Sequence, residues 1–249
     1  MRDWEPPSHF RERLRYGLVP PRLSFTYRAH RELRKGKHEL RLLPCLLQRD
    51  KNSVDVGANK GVYTYWMQKY SRYVYAYEPN PKMFRILKAG ARGNVTVSPV
   101  ALSNTTGAAK LRNPKTARGF SDRSASLNYE VVGPTYGEVE IETRRLDDEN
   151  VREVCFMKID VEGHEFAVLE GARDVIDRDR PSLLIEIVEA YNRMPIEESL
   201  ARVTDLGYRG FAFIDAALKS LDFFDPEAHH RAPRERKDFV CNFLFLPRK

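Results

Sequence analysis

The residues best suited to chemistry are two acids and two glycines that lie close together in the chain. Asp55 lies in a short apolar run, Gly57 and Gly61 follow it, and Glu78 ends the next apolar run. A glycine turn lets the backbone approach a ligand, and a carboxylate at a strand end can accept two hydrogen bonds from a ribose. The pattern therefore predicts a nucleoside site.

The spacing of these residues indicates which nucleoside. A dinucleotide site needs G-x-G-x-x-G, whereas here the pattern is Asp55-x-Gly57-x-x-x-Gly61. An aspartate would repel a pyrophosphate but could meet the amino group or the sulfonium of S-adenosylmethionine. Glu78 lies 78 − 57 = 21 residues beyond Gly57, which suits ribose hydroxyls in either ligand. The pattern favours S-adenosylmethionine over NAD, and a tight turn without a ligand remains an alternative.

These side chains need a framework of alternating strands and helices to position them. Apolar runs predict strands at 54–56, 73–77, 94–100, 154–159, 182–187, 208–214 and 239–246, and helical periodicity predicts helices at 39–47, 62–70, 81–90, 166–176 and 195–206. Such alternation requires parallel crossovers with helices on both faces of the sheet. No clear helix separates the last two strands, so we expect that pair to be antiparallel.

The segment 101–145 departs from this alternation. Two stretches, 108–112 and 138–143, alternate like exposed strands, and the residues between them are rich in Gly, Ser, Arg and Pro. We therefore expect an insertion of sheet and mobile loop where a regular fold would place a helix.

The charge of the chain is concentrated at its beginning. Residues 1–38 hold ten Lys/Arg and four Asp/Glu, or 10 − 4 = +6, and residues 39–249 hold 32 and 31, or +1. We divide the chain into a basic extension, 1–38, and a catalytic domain, 39–249. The extension could contact an anionic membrane surface, a phosphorylated substrate or nucleic acid. The alternative is a solvated arm or a helix packed beside the domain.

Composition and cysteine usage predict a cytoplasmic protein. There is no apolar run of membrane-spanning length and no apolar region typical of a signal peptide at the beginning of the sequence. The single cysteines, Cys45, Cys155 and Cys241, lie in apolar surroundings, which favours buried, reduced thiols over disulfides or metal ligands.

Several segments in the same order resemble the FkbM family of S-adenosylmethionine-dependent methyltransferases, over about residues 39–247. The matching segments are Val54–Thr64, Tyr77–Pro81, Val100–Ser103, Arg145–Asp148, Met157–Glu165, Val168–Ala172, Pro181–Ile187 and Asn242–Pro247. The Lys-Ile-Asp-Val-Glu-Gly-His-Glu block at 158–165 makes the resemblance specific. It implies a Rossmann-like class I methyltransferase fold, with a mostly parallel seven-stranded sheet in which the terminal strand is antiparallel. It also implies methyl transfer, usually to oxygen and often on a saccharide.

The resemblance suggests roles for the cofactor-binding residues. Asp55 and the turn from Gly57 through Asn59 to Gly61 should hold the amino-acid end of S-adenosylmethionine. Glu78 should bind the ribose, and Asn80 follows it. The segment that contains Ala101 should line the adenine pocket, and Asp160 should lie near the reacting methyl group. On this assignment, Gly57→Val should abolish cofactor binding and leave the fold largely intact.

Three residues are candidates for catalysis: Asp160, His164 and Glu186. An alcohol must lose its proton to react well, and an unperturbed imidazole has a pKa near neutrality, so His164 is a candidate base. Its alternative is an exposed residue at a helix start. For Glu162 and Glu165 the favoured role is only to complement the helix dipole. Glu186 interrupts an apolar strand, and its burial would be costly without a partner.

Glu186 has three possible roles. It could contact the acceptor hydroxyls, bind a divalent cation together with Asp160 and His164, or lie at an edge in water. Acceptor contact is favoured, so a metal site is possible but not predicted. The aromatic residues Tyr63, Trp66 and Tyr129 are assigned to the core.

The sequence therefore predicts an O-methyltransferase that acts on a saccharide or another polyhydroxyl acceptor. The rival hypotheses are a nucleic-acid methyltransferase that uses the basic extension, a non-catalytic cofactor-binding protein and an NAD-dependent oxidoreductase. Nucleic acid is the disfavoured partner, and the residues do not indicate an oligomeric state.

Overall fold

An eight-stranded sheet forms the centre of the protein. The computed structural model describes residues 18–116, 119–120, 125–127, 136–231, 233, 236 and 239–248. The strands of the central sheet are β1 (Asn52–Val56), β2 (Val74–Tyr77), β3 (Val95–Ser98), β8 (Val154–Ile159), β9 (Ser182–Glu186), β10 (Tyr208–Ile214), β11 (Ala217–Ser220) and β12 (Asn242–Pro247). Their order is β11-β10-β12-β9-β8-β1-β2-β3, and β12 is antiparallel to both of its neighbours. The predicted antiparallel pairing of the last strands is therefore confirmed.

The eighth strand, β11, was not predicted. It pairs with β10 through a turn in which Asp215 and Ala216 both have positive φ, 54° and 59°. Such turns usually carry Asn-Gly or Asp-Gly, because those residues adopt positive φ with little strain. The Asp-Ala pair gave no such signal.

The helices cover the sheet on both faces. They are α1 (Pro21–Arg34), α2 (Leu43–Leu46), α3 (Val62–Tyr70), α4 (Pro81–Gly90), α5 (Glu165–Glu170), α6 (Arg173–Asp179), α7 (Glu189–Asn192), α8 (Ile196–Thr204) and α9 (Pro226–His229). Side chains along each strand alternate between the two layers: Met157 and Ile159 pack in one cluster, and Phe156 packs in the other. Among the described residues, no helix has the length and apolar character needed to cross a membrane.

The helix predicted at 166–176 is two helices, α5 and α6. They separate at Gly171, where an added Cβ would lie 1.9 Å from the carbonyl oxygen of Ser103. The chain bends at this contact with the segment that follows β3. The hydrophobic periodicity continues across the bend, because Val168 and Ile176 are both buried in the same cluster.

A second, smaller sheet replaces the helix that a regular fold would have after β3. It contains β4 (Ala101–Leu102), β5 (Gly107–Thr116), β6 (Gly119–Phe120) and β7 (Tyr136–Arg144), in the order β4-β7-β5-β6. β5 and β7 are antiparallel over their full overlap, which confirms the predicted insertion. Most of the loop predicted between them, including Tyr129, lies outside the described residues.

The described part of the basic extension is a helix packed on the domain. Phe25 and Ala29 of α1 are buried against α3 and α4, and Phe25 meets the Tyr65 ring edge-on at 5.4 Å between centroids. Residues 18–38 therefore match the alternative of a helix packed beside the domain. None of the three cysteines forms a disulfide, but Cys45 is exposed rather than buried.

Candidate functional site

A cavity of about 480 Å³ opens at the carboxyl ends of β1, β2 and β8. Eight of the predicted site residues line it: Gly57, Asn59, Glu78, Asn80, Ala101, Asp160, His164 and Glu186. They come from segments distant in the chain, and the parallel strands bring these segments to one edge. These eight predicted residues therefore share a single cavity.

The turn after β1 forms the floor of this cavity. The N–H groups of Gly57 and Ala58 both donate to the carbonyl oxygen of Tyr77, each at 3.0 Å, which ties the turn to the end of β2. Gly57 has a φ of +74°, and an added Cβ would lie 1.9 Å from the carbonyl oxygen of Asp160. The expectation that Gly57→Val leaves the fold largely intact is therefore wrong, because the substitution would push β1 and β8 apart.

The carboxylate of Glu78 is fixed at the cavity wall by hydrogen bonds to both of its oxygens. It is buried, and its two oxygens accept hydrogen bonds from the N–H groups of Asn59, at 2.6 Å, and Asn80, at 2.8 Å. Asn80 in turn caps α4, because its side chain accepts from the N–H groups of Lys82 and Met83. Burial raises the pKa of Glu78 to about 7, although the two N–H donors oppose this rise. The carboxylate is thus held in one orientation at the cavity wall.

Two predicted cofactor residues, Asp55 and Gly61, do not line the cavity. The Asp55 carboxylate is buried behind the turn and accepts a hydrogen bond from the Thr64 hydroxyl on α3, and burial raises its pKa to about 6. Gly61 precedes α3 with a φ of +78° and packs against Phe25 and Leu87. Both residues support the turn from behind, so the predicted direct contact of Asp55 with a ligand is revised.

A cluster of three acids occupies the side of the cavity next to β8. One carboxylate oxygen from each of Asp160, Glu162 and Glu186 lies within 4.8 Å of the others. The cation set considered from the sequence, with His164 as third member, is therefore corrected: Glu162 takes that place. Lys158 is fully buried beneath Asp160, with Nζ 3.6 Å from Oδ2 and donating at 3.0 Å to the carbonyl oxygen of Ile159.

His164 lies apart from the acids, on the side of the cavity nearer β4. Its Nε2 is 2.9 Å from the Ser103 hydroxyl oxygen, and burial lowers its pKa. The imidazole is therefore neutral at neutral pH. The tautomer whose Nε2–H donates to Ser103 keeps a lone pair on Nδ1. Next to it, Leu102 and Leu111 give the cavity an apolar wall.

Sequence reasoning missed the cationic residues at the cavity. Arg28 and Arg31 reach it from α1, and Lys37 follows that helix. Burial opposes the charge of Lys37, but nearby carboxylates, chiefly those of Asp160 and Glu39, raise its pKa. Tyr63, assigned to the core, is buried but also lines the cavity, and its hydroxyl donates to Glu39 at 2.7 Å. These residues were missed because no local sequence pattern indicates that the basic extension packs beside a site some 30 residues further along the chain.

The chain is similar to known methyltransferases. A family profile, the methyltransferase FkbM domain, matches residues 55–224. The hexuronic acid methyltransferase AglP of Haloferax volcanii is 28% identical over 149 residues, which are 59% of this chain and 60% of that protein. The matched part thus spans less than two thirds of that relative.

Among solved structures, the chain is similar to the FkbM methyltransferase from Methylobacillus flagellatus. The TM-score is 0.51 with 18% identity, over 80% of this chain and 44% of that one. At this level of sequence identity the similarity concerns the fold alone.

Proposed function

The chain belongs to the FkbM methyltransferase family, and we propose that it transfers a methyl group from S-adenosylmethionine to a hydroxyl oxygen of a saccharide. The observation that carries the proposal is the orientation of Glu78. Its buried carboxylate lines the cavity at the end of β2, with each oxygen fixed by a backbone N–H. Carboxylates at this position in doubly wound sheets bind ribose hydroxyls.

The other walls fit the remaining parts of the cofactor. The turn at Gly57–Asn59 exposes backbone at the cavity floor and suits the amino-acid end, and the apolar wall at Ala101–Leu102 suits the adenine ring. When bound, S-adenosylmethionine supplies a methyl group made electrophilic by its cationic sulfur. The protein needs only to align the acceptor and remove one proton.

The residues across the cavity can perform these tasks. His164, neutral at neutral pH, would accept the proton of the acceptor hydroxyl, and Ser103 would hold the ring in position. Asp160 and Glu186 would accept hydrogen bonds from neighbouring hydroxyls. A saccharide offers several adjacent hydroxyl donors, which matches a wall rich in carboxylates. The methylation of a hexuronic acid by the relative AglP supports a sugar acceptor.

Binding and transfer can be tested separately. We expect calorimetry to detect S-adenosylhomocysteine binding, and Glu78→Gln to weaken it. Transfer is measured with a radiolabelled methyl group and a panel of acceptors that contains uronic-acid glycans, neutral glycans and RNA. We expect the label to be transferred to saccharides. Binding without transfer to any acceptor would indicate a non-catalytic protein, and labelling of RNA alone would indicate a nucleic-acid methyltransferase. Failure to bind S-adenosylhomocysteine would refute the proposal.

A further inference from the structure

The helices that pack over β1, β2 and β3 are strongly basic. α1, α3 and α4 pack together there, since Phe25 of α1 touches both Gly61 before α3 and Gly90 of α4. In sequence the three helices hold eight Lys/Arg and one acid, Glu32, which is half-buried and paired with Arg31. The three helices therefore carry 8 − 1 = +7 formal charges, although Lys82 is buried and Arg28 and Arg31 line the cavity.

The outer face of α1 is apolar as well as basic. Leu23 and Tyr27 lie one helical turn apart, opposite the buried Phe25 and Ala29, and are 60% and 66% exposed. Leu18, just before the helix, is 75% exposed. Exposed basic residues lie on or just after α1, at Arg22, Arg34 and Lys35, and on the neighbouring α4, at Arg85 and Lys88.

We propose that this face, made of Leu18, Leu23 and Tyr27 with the basic residues around them, binds the surface of an anionic phospholipid membrane. Exposed apolar side chains amid cations are typical of helices that lie in a membrane interface. The charge selects an anionic surface. Nucleic acid would also be attracted by the positive charge, but its phosphate backbone would not bury the exposed leucine side chains. α1 also contributes Arg28 and Arg31 to the cavity, so the helix that binds the membrane is also part of the cavity wall.

The test is sedimentation of the full chain with phosphatidylcholine vesicles that contain phosphatidylglycerol, without a methyl donor, so the outcome does not depend on the proposed function. We expect partitioning at low salt that falls with added salt and is absent on pure phosphatidylcholine. R22Q/R34Q should lower the partition coefficient about fivefold for each cation removed. L23S/Y27S should lower it at least about tenfold.

The matched control is L218S/F223S, which removes exposed apolar side chains, 38% and 69% exposed, near the opposite edge of the sheet. It should partition like the wild type, and circular dichroism should show all variants folded. The proposal is overturned if the wild type stays in solution, or if the control loses as much binding as L23S/Y27S. It is also overturned if L23S/Y27S converts a dimer to a monomer in sedimentation velocity, which would indicate a second copy on this face. Loss of RNA binding in R22Q/R34Q, with vesicle binding unchanged in both variants, would indicate nucleic acid instead.

Discussion

The carbonyl oxygen of Asp160 lies directly behind Gly57, where a Cβ on that glycine would approach it to 1.9 Å. The two residues follow neighbouring parallel strands, β1 and β8, and the contact brings the glycine turn against the start of the acidic cluster. The same glycine therefore shapes the cavity floor and permits the two strand ends to pack.

Substituting Gly57 should destabilise the protein even without a ligand. Gly57→Ala forces an L-residue to positive φ and against backbone atoms, and we expect a loss of about 2 kcal/mol or more in the free energy of unfolding. Urea denaturation measures this. The control is Gly93→Ala, because an added Cβ there meets nothing within 4 Å. Equal stability of the two variants would contradict the packing of Gly57 on Asp160.

The raised pKa of Glu78 predicts a pH dependence of stability. The group titrates near 7 in the folded protein and near its ordinary 4.5 when unfolded. Between these values the folded state holds a proton that the unfolded state has lost, so this contribution to stability falls as pH rises from about 4.5 to about 7. We expect chemical denaturation to show a smaller decline over this range in Glu78→Gln, and an identical decline in both proteins would refute this assignment.

Ligand binding should show the opposite trend with pH. Ribose hydroxyls donate to the ionised carboxylate of Glu78, so affinity for S-adenosylhomocysteine should rise as pH increases through about 7. Glu78→Gln should weaken binding about tenfold to hundredfold at pH 8 and remove this dependence. Calorimetry across pH measures both effects, and a variant that retains the wild-type pH profile would exclude Glu78 as the titrating group.

His164→Gln should lower kcat by about a hundredfold or more, because the acceptor hydroxyl loses its base. The affinity for S-adenosylhomocysteine should stay within about threefold of the wild type, since we assign His164 to the acceptor side. Ser103→Ala keeps the imidazole but removes its hydrogen bond, and should lower kcat less than His164→Gln does. A parallel loss of kcat and of cofactor affinity in His164→Gln would place the ring in cofactor binding.

Asp160→Asn should reduce turnover far more than cofactor affinity, by at least about a hundredfold in kcat. The substitution leaves the buried Lys158 ammonium without the carboxylate that lies 3.6 Å away. Single-turnover kinetics and calorimetry separate the two quantities. If both fall equally, Asp160 belongs to cofactor binding rather than to chemistry.

Glu186→Gln distinguishes acceptor contact from cation binding. We expect the KM for the saccharide to rise about tenfold, with cofactor affinity unchanged, because a carboxylate acceptor of hydrogen bonds becomes a weaker one. The measurement is initial rates with and without added Mg²⁺ or Mn²⁺. Activity that requires the cation in the wild type, and needs a higher cation concentration in Glu186→Gln, would favour the acidic cluster as a metal site.

Much of the fold was predictable, because its signals are local. β8 has the predicted bounds, Val154–Ile159, because a nearly continuous apolar run marks it. α3 has the predicted bounds, Val62–Tyr70, because its apolar residues recur at helical spacing. Asn80 and Pro81 marked the start of α4 correctly. The class I methyltransferase fold and the FkbM family are confirmed.

The sequence by itself determined which residues end the strands of the parallel sheet, and therefore that Gly57, Glu78 and Asp160 meet at one edge. It did not determine which side chains turn into the cavity. The tertiary structure decided that Asp55 stands behind the turn, that Glu162 rather than His164 joins the acids, and that α1 forms part of the wall. The reason is physical: strand ends follow from the pattern of neighbouring residues, whereas these positions depend on packing between segments distant in the chain.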